Sequence, residues 1–198
     1  MPLILAVNAG SSSLKLAVFR VDGQANHPVT RLATCSLSNI GSSPAKLSYA
    51  LEDFQEKRKA NAPDNVDNHT AAFEYFLSVL FSDDHFTSQG YTRDDITHIC
   101  HRVVHGGRFT KPTIISKDTY DRLAALSDLA PLHNNRALDI ISSCHHSLPK
   151  ARSIAFFDSA FHATLEPHIY TYAIAPNVAQ KRSLRKYGFH GLSCMFIS

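Results

Sequence analysis

Short apolar stretches near the amino terminus follow the pattern of β-strands. Leu3–Asn8 and Leu14–Arg20 predict two strands, the first apolar enough to be buried on both faces. A third strand is predicted at Arg31–Leu37. Because a loop of one glycine and three serines separates the first two apolar runs, the chain is predicted to open with a hairpin.

The next part of the chain, from Ser43, has apolar residues at the spacing of a helix. Ser43 can cap a helix and Pro44 suits its first turn. The apolar residues of that predicted helix recur on one face: Leu47, Leu51 and Phe54. Residues 60–69 are polar and predict a surface loop. A strongly amphipathic helix is predicted after it, with these residues on one face: Phe73, Phe76, Leu77 and Leu80.

The second half of the chain alternates between predicted strands and predicted helices. Ile96–His105 predicts a strand that ends at two glycines, and Ser153–Phe157 predicts another. The helices are predicted at Ser116–Leu126, Arg136–His146 and Val178–Lys186, with a further one beginning near Ser193. A hairpin followed by strands alternating with helices predicts an α/β layered domain.

Composition narrows the classes of function. Hydrophobic residues make up 44% of the 198 residues and charged residues 19%, as in an ordinary globular protein. The net charge of +3 is too small to indicate a nucleic acid partner. No stretch approaches the ~20 apolar residues that cross a bilayer, and the apolar start is too short for a signal peptide. The cysteines are far apart without a CxxC pair, which predicts reduced thiols in a cytoplasmic protein: Cys35, Cys100, Cys144 and Cys194.

The hairpin loop, within "NAGSSSLK", has the residues of an anion site. Small residues let the backbone come close to a ligand, and backbone N–H groups with serine hydroxyls can surround an anion. Lys15 adds a cation beside the loop, which favours phosphate. The GxxxxGK[ST] spacing of a P-loop is absent. Since small-residue turns are common, a purely structural loop remains the alternative.

The stretch "HRVVHGG" places an arginine near the end of a predicted strand. Side chains alternate along a strand, so Arg102 and Val104 share one face while His101, Val103 and His105 share the other. An arginine beside an apolar patch can bind a carboxylate or phosphate through two hydrogen bonds, and a structural ion pair is the alternative. The two histidines are poor zinc candidates, because β-branched residues surround them and the HExxH glutamate is missing.

The stretch "SIAFFDSAFH" delivers Asp158 to the carboxyl end of an apolar strand. Open α/β sheets place their ligand sites at such ends. Asp158 is therefore a candidate for binding Mg²⁺ or for orienting a cation. The alternative is a helix N-cap for a turn that starts at Ser159.

Two further stretches, "LAPLHNN" and "YGFHGLS", place histidines in predicted loops. Leu132 and His133 precede a predicted helix. Phe189 and His190 stand between two glycines, which favours a loop that packs closely against a neighbour. A histidine there could stabilise developing negative charge, although any single histidine in a sequence is more often structural.

Together, "VNAGSSSLK", "HRVVHGG", "LAPLHN", "FDSAFH" and "YGFHG" resemble the acetokinase family of the sugar kinase, Hsp70 and actin superfamily. The stretches occur in order from residue 7 to residue 191. The resemblance implies a ribonuclease-H-like (actin-like ATPase) α/β domain, with a mixed sheet flanked by helices and opened by a hairpin. It also implies transfer of the γ-phosphoryl group of ATP to acetate, giving acetyl phosphate and ADP, with Mg²⁺ as cofactor.

The resemblance also implies roles for individual residues on the phosphate side. Asn8 would belong to the Mg²⁺ site, and Lys15 would contact the nucleotide phosphates, with Ser11 and Ser13 lining the same loop. Arg102 would hold the acetate carboxylate or the transferring phosphoryl group.

On the acyl side, the resemblance implies a small pocket for the methyl group, formed by Val104, Leu132 and Phe189. Asp158 matches the catalytic aspartate of the family, His190 its transition-state stabiliser and His133 a further site residue. Acetate is already ionised at neutral pH and needs no base to become a nucleophile. We therefore expect Asp158 to hold Mg²⁺ and to align Arg102 rather than to accept a proton.

The family has two lobes, and the resemblance implies that this chain carries the first. Residues 1–150 are expected to be the first part of the amino-terminal lobe, and residues 151–198 its remainder and the start of the crossover to a second lobe. Relatives are expected to be homodimers through that second lobe, and the single lobe is expected either to be a monomer or to aggregate through its uncovered interlobe face. Two hypotheses follow: an incomplete acetate kinase, or a non-catalytic module that binds anions. A propionate or butyrate kinase is a further alternative, although those relatives tend to have proline where Ala9 stands.

Overall fold

The computed structural model describes residues 1–23, 28–52, 57–127 and 131–198, with the side chains of 131–133 outside the description. Within these residues, eight strands form one sheet in the order β5-β4-β3-β2-β1-β6-β8-β7. The strands are β1 (Leu3–Ala9), β2 (Ser13–Val21), β3 (Val29–Ser38), β4 (Lys46–Leu51), β5 (Arg58–Asn61), β6 (Ile96–Val103), β7 (Thr113–Ile114) and β8 (Arg152–Phe157).

The sheet is mixed, as expected. β1 to β5 form an antiparallel meander, in which Asn8 lies opposite Lys15. β1, β6 and β8 run parallel, while β7 is antiparallel to β8. The carboxyl ends of three parallel neighbours therefore meet at one edge of the sheet, where ligand sites of open α/β sheets form.

Seven α-helices lie in the described part of the chain: α1 (His69–Phe81), α2 (Asp84–Thr87), α3 (Lys117–Ala124), α4 (Pro131–Ser147), α5 (Pro167–Tyr170), α6 (Pro176–Lys181) and α7 (Gly191–Ile197). The main core combines the inward residues of β1 and β2 with the apolar face of α1 predicted from its spacing. A second cluster joins the end of β8 to α3 and α4. None of the helices in these ranges has the length and hydropathy of a membrane span.

The helix predicted after Ser43 is wrong, because residues 46–51 form β4. Leu47 and Leu51 are four residues apart, a spacing that fits one face of a helix and one face of a strand equally. Tyr49, between them, is also buried, so the burial repeats every second residue and β4 pairs with β3. Phe54, the third residue of the predicted face, lies outside the described residues.

Several predicted boundaries also differ from the structure. α4 begins at Pro131 rather than at Arg136, so the loop predicted at "LAPLHNN" is helical from residue 131 onward. α6 ends at Lys181, because Ser183 adopts a left-handed conformation with φ 52° that a helix cannot continue. α7 begins at Gly191, two residues before the predicted start.

Candidate active site

An ion pair between Arg102 and Asp158 lies at the carboxyl ends of β6 and β8. Nη2 of Arg102 donates to Oδ2 of Asp158 at 2.6 Å, and Nε lies 3.1 Å and 3.3 Å from Oδ2 and Oδ1. The Asp158 side chain is only 1% exposed, whereas that of Arg102 is 29% exposed. The buried carboxylate therefore binds the guanidinium group from the protein interior, and part of the guanidinium group remains exposed to solvent. Asp158 is not a helix N-cap, because Phe157 occupies that position of the following 3₁₀ turn.

Asn8, at the end of β1, extends this arrangement to a third strand. Its Oδ1 accepts a hydrogen bond of 3.3 Å from Nη1 of Arg102. Lys15 lies opposite Asn8 on β2, and its side chain is exposed. An amide, an ammonium group and a guanidinium group therefore lie side by side on one face of the sheet.

The loop between β1 and β2 is closed by backbone hydrogen bonds. The N–H of Gly10 donates to the carbonyl of Ser13 at 2.8 Å, and the N–H of Ile40 donates to the carbonyl of Ser12 at 3.0 Å. A Cβ on Gly10 would lie 2.7 Å from Oγ of Ser13, so a side chain there would displace the Ser13 hydroxyl. Ser11 is exposed at the tip of the loop and Ser13 begins β2.

The turn that follows β6 is held by two side chains from distant segments. Asn134 of α4 is buried; its Oδ1 accepts from the N–H of His105 at 3.1 Å and its Nδ2 donates to the His105 carbonyl at 2.9 Å. The N–H of Gly106 donates to Oγ of Ser159 at 3.0 Å. Val104, just beyond β6, is half-buried within this segment.

The segment "YGFHG" packs against the 3₁₀ turn Asp158–Thr164. A Cβ on Gly188 would lie 2.2 Å from the ring of His162, and a Cβ on Gly191 would lie 1.9 Å from the carbonyl oxygen of Asp158. Both glycines of this segment therefore lie too close to the turn for a side chain. His162 donates from Nε2 to the carbonyl of Phe189 at 3.0 Å. Phe189 is 41% exposed, and its ring lies edge-on to that of His105 at 5.9 Å.

His190 lies beside the same 3₁₀ turn, because the next residue, Gly191, packs against it. It is exposed, has a left-handed conformation with φ 56° and immediately precedes α7. The expectation of a loop pressed against a neighbour is therefore confirmed. The side chains of Leu132 and His133 lie outside the described residues, although α4 includes both residues.

A cavity of about 700 Å³ opens beside these groups. Its polar lining includes Asn8, Lys15 and Arg102, with His101 and Ser193, and its apolar lining includes Phe156 and Leu192. Three predicted site residues, Val104, Phe189 and His190, do not line this cavity. This combination suits a small ligand that carries both negative charge and an apolar group.

The two histidines of "HRVVHGG" are structural. His101 is 2% exposed, lies within 3.1 Å of Oγ of Ser153, and burial lowers its pKa to about 4. Nδ1 of His105 accepts from the N–H of Gly107 at 3.0 Å, and burial lowers its pKa too. Across the described ranges, no three metal-binding side chains of His, Cys, Asp or Glu converge.

A magnesium ion carried by phosphates nevertheless fits the oxygen atoms at this edge. Mg²⁺ keeps several waters and usually takes one or two protein carboxylates together with substrate phosphates. Oδ2 of Asp158 accepts the shorter bonds from Arg102 and Oδ1 accepts only at 3.3 Å from Nε, but the side chain is 1% exposed, so it would act on a hydrated Mg²⁺ through its charge or through one of the ion's waters. The amide oxygen of Asn8 is a second oxygen ligand nearby, and it is neutral.

The roles of some residues of this site do not follow from the residue pattern. Asn134, Ser159 and His162 lie in the stretches that were singled out, but their partners are backbone groups of other segments. His69 contacts the carbonyl of Gly10 at 2.8 Å across 59 positions of the chain. A pattern of side-chain types does not reveal such contacts.

Comparisons with known proteins agree on one family. The sequence model of the Acetokinase family matches residues 3–198. The "Probable acetate kinase" of Chaetomium globosum is 43% identical over 196 residues, covering 99% of this chain and 42% of the relative. The "Acetate kinase" of Leifsonia xyli is 36% identical, covering 100% of this chain and 47% of the relative.

Solved structures give the same result. A propionate kinase from Francisella tularensis superposes with a TM-score of 0.83 at 31% identity, covering 100% of this chain and 47% of that one. The Porphyromonas gingivalis acetate kinase has a TM-score of 0.82 at 30% identity, covering 98% of this chain and 46% of that one. The chain thus spans less than half the length of these relatives.

Proposed function

This chain belongs to the acetokinase family, and from that premise we propose that it supplies the acyl and phosphoryl side of an acetate kinase active site. The reaction is transfer of the γ-phosphoryl group of ATP to acetate, which gives acetyl phosphate and ADP. Residues 1–150 and 151–198 would together form the amino-terminal lobe, and a second lobe would complete the nucleotide site.

The observation that carries this proposal is the way Arg102 is held. Arginine has five N–H donors. Asp158 takes the one on Nε and one on Nη2, and Asn8 takes one on Nη1. Among the contacts of the described residues, one N–H on each terminal nitrogen is left for a ligand. These two N–H groups lie in the plane of the guanidinium and are donors for the oxygens of a carboxylate or phosphoryl group.

The chemistry explains why a fixed cation is needed. Acetate and the γ-phosphoryl group are both anionic and repel each other as an acetate oxygen approaches phosphorus. The acetate oxygen forms a new bond to phosphorus as the bond from phosphorus to the β–γ bridging oxygen breaks. The electron pair of the broken bond stays on that oxygen and leaves with ADP. Arg102 would offset the charge on the equatorial oxygens, and Asp158 would keep the guanidinium oriented. Positioning and charge compensation are what phosphoryl transfer mainly requires.

The nucleotide phosphates would be bound at the loop before β2. Lys15 would contribute its ammonium group, with Ser11 and Ser13 as hydroxyl donors. Mg²⁺, when bound, offsets negative charge on the phosphates. Asp158 and Asn8 offer the oxygen atoms that would hold it from this side.

The acetate methyl group would lie in the pocket expected from the resemblance, formed by Val104, Leu132 and Phe189. The half-buried Val104 and the partly exposed ring of Phe189 are apolar surfaces that a methyl group could cover. His190 would stabilise the negative charge of the transition state, and His133 would be a further residue of the site. The exposed position of His190 next to the turn of Asp158 supports this role.

A hydroxylamine trap for acetyl phosphate tests the proposal. The 198-residue chain is incubated with ATP, Mg²⁺ and acetate, alone and fused to the second half of the Chaetomium globosum relative. We expect acetyl hydroxamate only from the fusion, and none from a fusion carrying Arg102→Ala. Product from the short chain alone would contradict the division of the site between lobes. A fusion that folds, binds ATP and makes no product would favour the non-catalytic anion-binding module.

A propionate kinase is the second candidate, because the superposed Francisella tularensis structure carries that name. One methylene in an apolar pocket changes specificity by only about 1–3 kcal/mol. Comparison of kcat/KM for acetate, propionate and butyrate in the same fusion separates the candidates. We expect acetate to be preferred, and a higher kcat/KM for propionate would reverse the assignment.

We also propose a cytoplasmic location and a homodimeric complete protein. All four cysteines are free, which suits a reducing compartment. Sedimentation of the fusion against the chain alone tests the assembly, with a dimer expected only when the second lobe is present.

A further inference from the structure

We propose that His69 is a positioning residue that turns the N–H of Ser11 toward a bound phosphate. This inference rests on the proposed function only in taking the loop between β1 and β2 as a phosphate site.

His69 is placed under the loop by the start of α1. It is the first residue of that helix, and the side chain of Asn68 caps the helix by accepting from the N–H of Ala71. The His69 side chain is buried, at 4% exposure, and its Nε2 lies 2.8 Å from the carbonyl oxygen of Gly10. A carbonyl can only accept, so Nε2 carries the proton and donates.

Because the peptide bond is planar, the contact at the Gly10 carbonyl fixes the direction of the next N–H group, that of Ser11. In a trans peptide, the carbonyl of one residue and the N–H of the next point to opposite sides. The carbonyl of Gly10 points inward to His69, so the N–H of Ser11 points outward, on the side where Ser11 is exposed. The carbonyl of Ser12 is likewise held inward by the N–H of Ile40.

An anion needs N–H groups and is repelled by carbonyl oxygens. Without the imidazole donor, the carbonyl of Gly10 would face a buried region with an unsatisfied acceptor. Rotation of the peptide between Gly10 and Ser11 would relieve that cost, and it would turn an oxygen toward the phosphate. His69 thus favours the orientation of the peptide that binds.

The ring performs this role in its neutral form. Burial lowers the pKa of His69, opposed by its bond to the carbonyl of Gly10 and, to a smaller extent, by a backbone hydrogen bond to Ser13. Arg136 and Asp139 of α4 act on the ring with opposite signs, Arg136 lowering and Asp139 raising its pKa. At neutral pH, the donor is therefore present without an additional charge under the loop.

Two substitutions of His69 and one control substitution test the hydrogen-bond donor on Nε2. His69→Gln keeps an N–H at a similar reach, and His69→Phe keeps a ring without a donor. Thr70→Val is the matched control, because Thr70 is the next residue of α1 and its hydroxyl bonds Ser143 of α4 rather than the loop. Thermal unfolding of each variant verifies that it folds.

The probe is inorganic pyrophosphate, titrated into the 198-residue chain while the amide resonance of Ser11 is followed by NMR. We expect the dissociation constant to rise about tenfold in His69→Phe and to change less than about twofold in His69→Gln and Thr70→Val. In the fusion, KM for ATP should rise by a similar factor in His69→Phe while KM for acetate is unchanged.

Four results would overturn the inference: no response of Ser11 to pyrophosphate in the parent chain, normal binding by folded His69→Phe, equal weakening in His69→Gln, or an imidazole protonated on Nδ1 alone. The last is read from the ring nitrogen shifts of the parent chain, so it is decisive even if His69→Phe does not fold. A Ser11 response that weakens in folded His69→Phe but not in His69→Gln, together with no acetyl phosphate from the fusion, would reject the proposed function and support the role of His69.

Discussion

The backbone of Gly191 lies against the carbonyl group of Asp158. A Cβ on residue 191 would be only 1.9 Å from that carbonyl oxygen and 2.5 Å from Cβ of Phe161. The start of α7 and the turn that carries the buried carboxylate are therefore in direct backbone contact. His190 immediately precedes Gly191, so this contact also holds the backbone of His190 near the turn of Asp158.

Gly191→Ala should separate these two segments. The clashing atom belongs to the backbone and cannot rotate away, so we expect a loss of about 1–3 kcal/mol in the free energy of unfolding. Urea denaturation measures this loss. Ser193→Ala, an exposed position of the same helix, is the control and should change the free energy by less than about 0.5 kcal/mol. Equal stability of Gly191→Ala and the parent chain would show that the segments are not in contact.

Gly10→Ala should strain the loop through a single side-chain atom, Oγ of Ser13, at 2.7 Å from the new Cβ. The next nearest atom, the carbonyl oxygen of Ser13, is at a comfortable 3.6 Å. We therefore expect Gly10→Ala to cost about 1 kcal/mol and Ser13→Ala to restore most of it in the double variant. The double-mutant cycle is measured by urea denaturation. Additive effects of the two substitutions would contradict the contact.

Asp158→Asn should lower the turnover of the fusion by about 10²–10³-fold, the range seen when an aligned charge-stabilising group is lost. The reason is that Arg102 would lose the carboxylate that orients it. Arg102→Lys is a companion variant, because lysine keeps the charge but lacks the planar pair of donors. The discriminating measurement is the pH dependence of kcat. A profile that follows ionisation of the Asp158 carboxyl would assign it the role of a base and contradict a positioning role.

The parts of this fold that the sequence predicted are those with one dominant local pattern. β1, β2 and the apolar face of α1 follow from burial on a strand or along a helix stripe. β4 was misassigned because leucines four residues apart satisfy both periods, and its pairing with β3 decides between them. Local spacing cannot report which long-range partner is available.

The site shows the same division. Arg102 and Asp158 were predicted as chemically relevant because each lies at the end of a predicted strand, and parallel neighbours bring such ends together. Asn134 and His69 were not, because each acts on a backbone carbonyl or N–H group 29 or 59 positions away. Backbone groups are the same at every residue, so no residue type in the sequence indicates which one will be bound.

His101 should make the stability of the chain depend on pH in a defined window. Its pKa is lowered from 6.5 to about 4 by burial, so the unfolded chain takes up this proton first on acidification. The contribution of His101 is fully present above pH 6.5, and it is lost as the pH falls toward about 4. The full loss is about 3 kcal/mol, from 1.36 kcal/mol per pKa unit. Free energies of unfolding in urea across this range measure it.

The variant that isolates this contribution is His101→Gln, which can still bond to Ser153 but cannot take up a proton. His69 and His105 shift in the same direction, so the quantity to compare is the difference between variant and parent at each pH. We expect that difference to favour His101→Gln by about 3 kcal/mol more at the acid end than at pH 7. A His101→Gln curve parallel to the parent would mean that the ring is accessible to protons in the folded state.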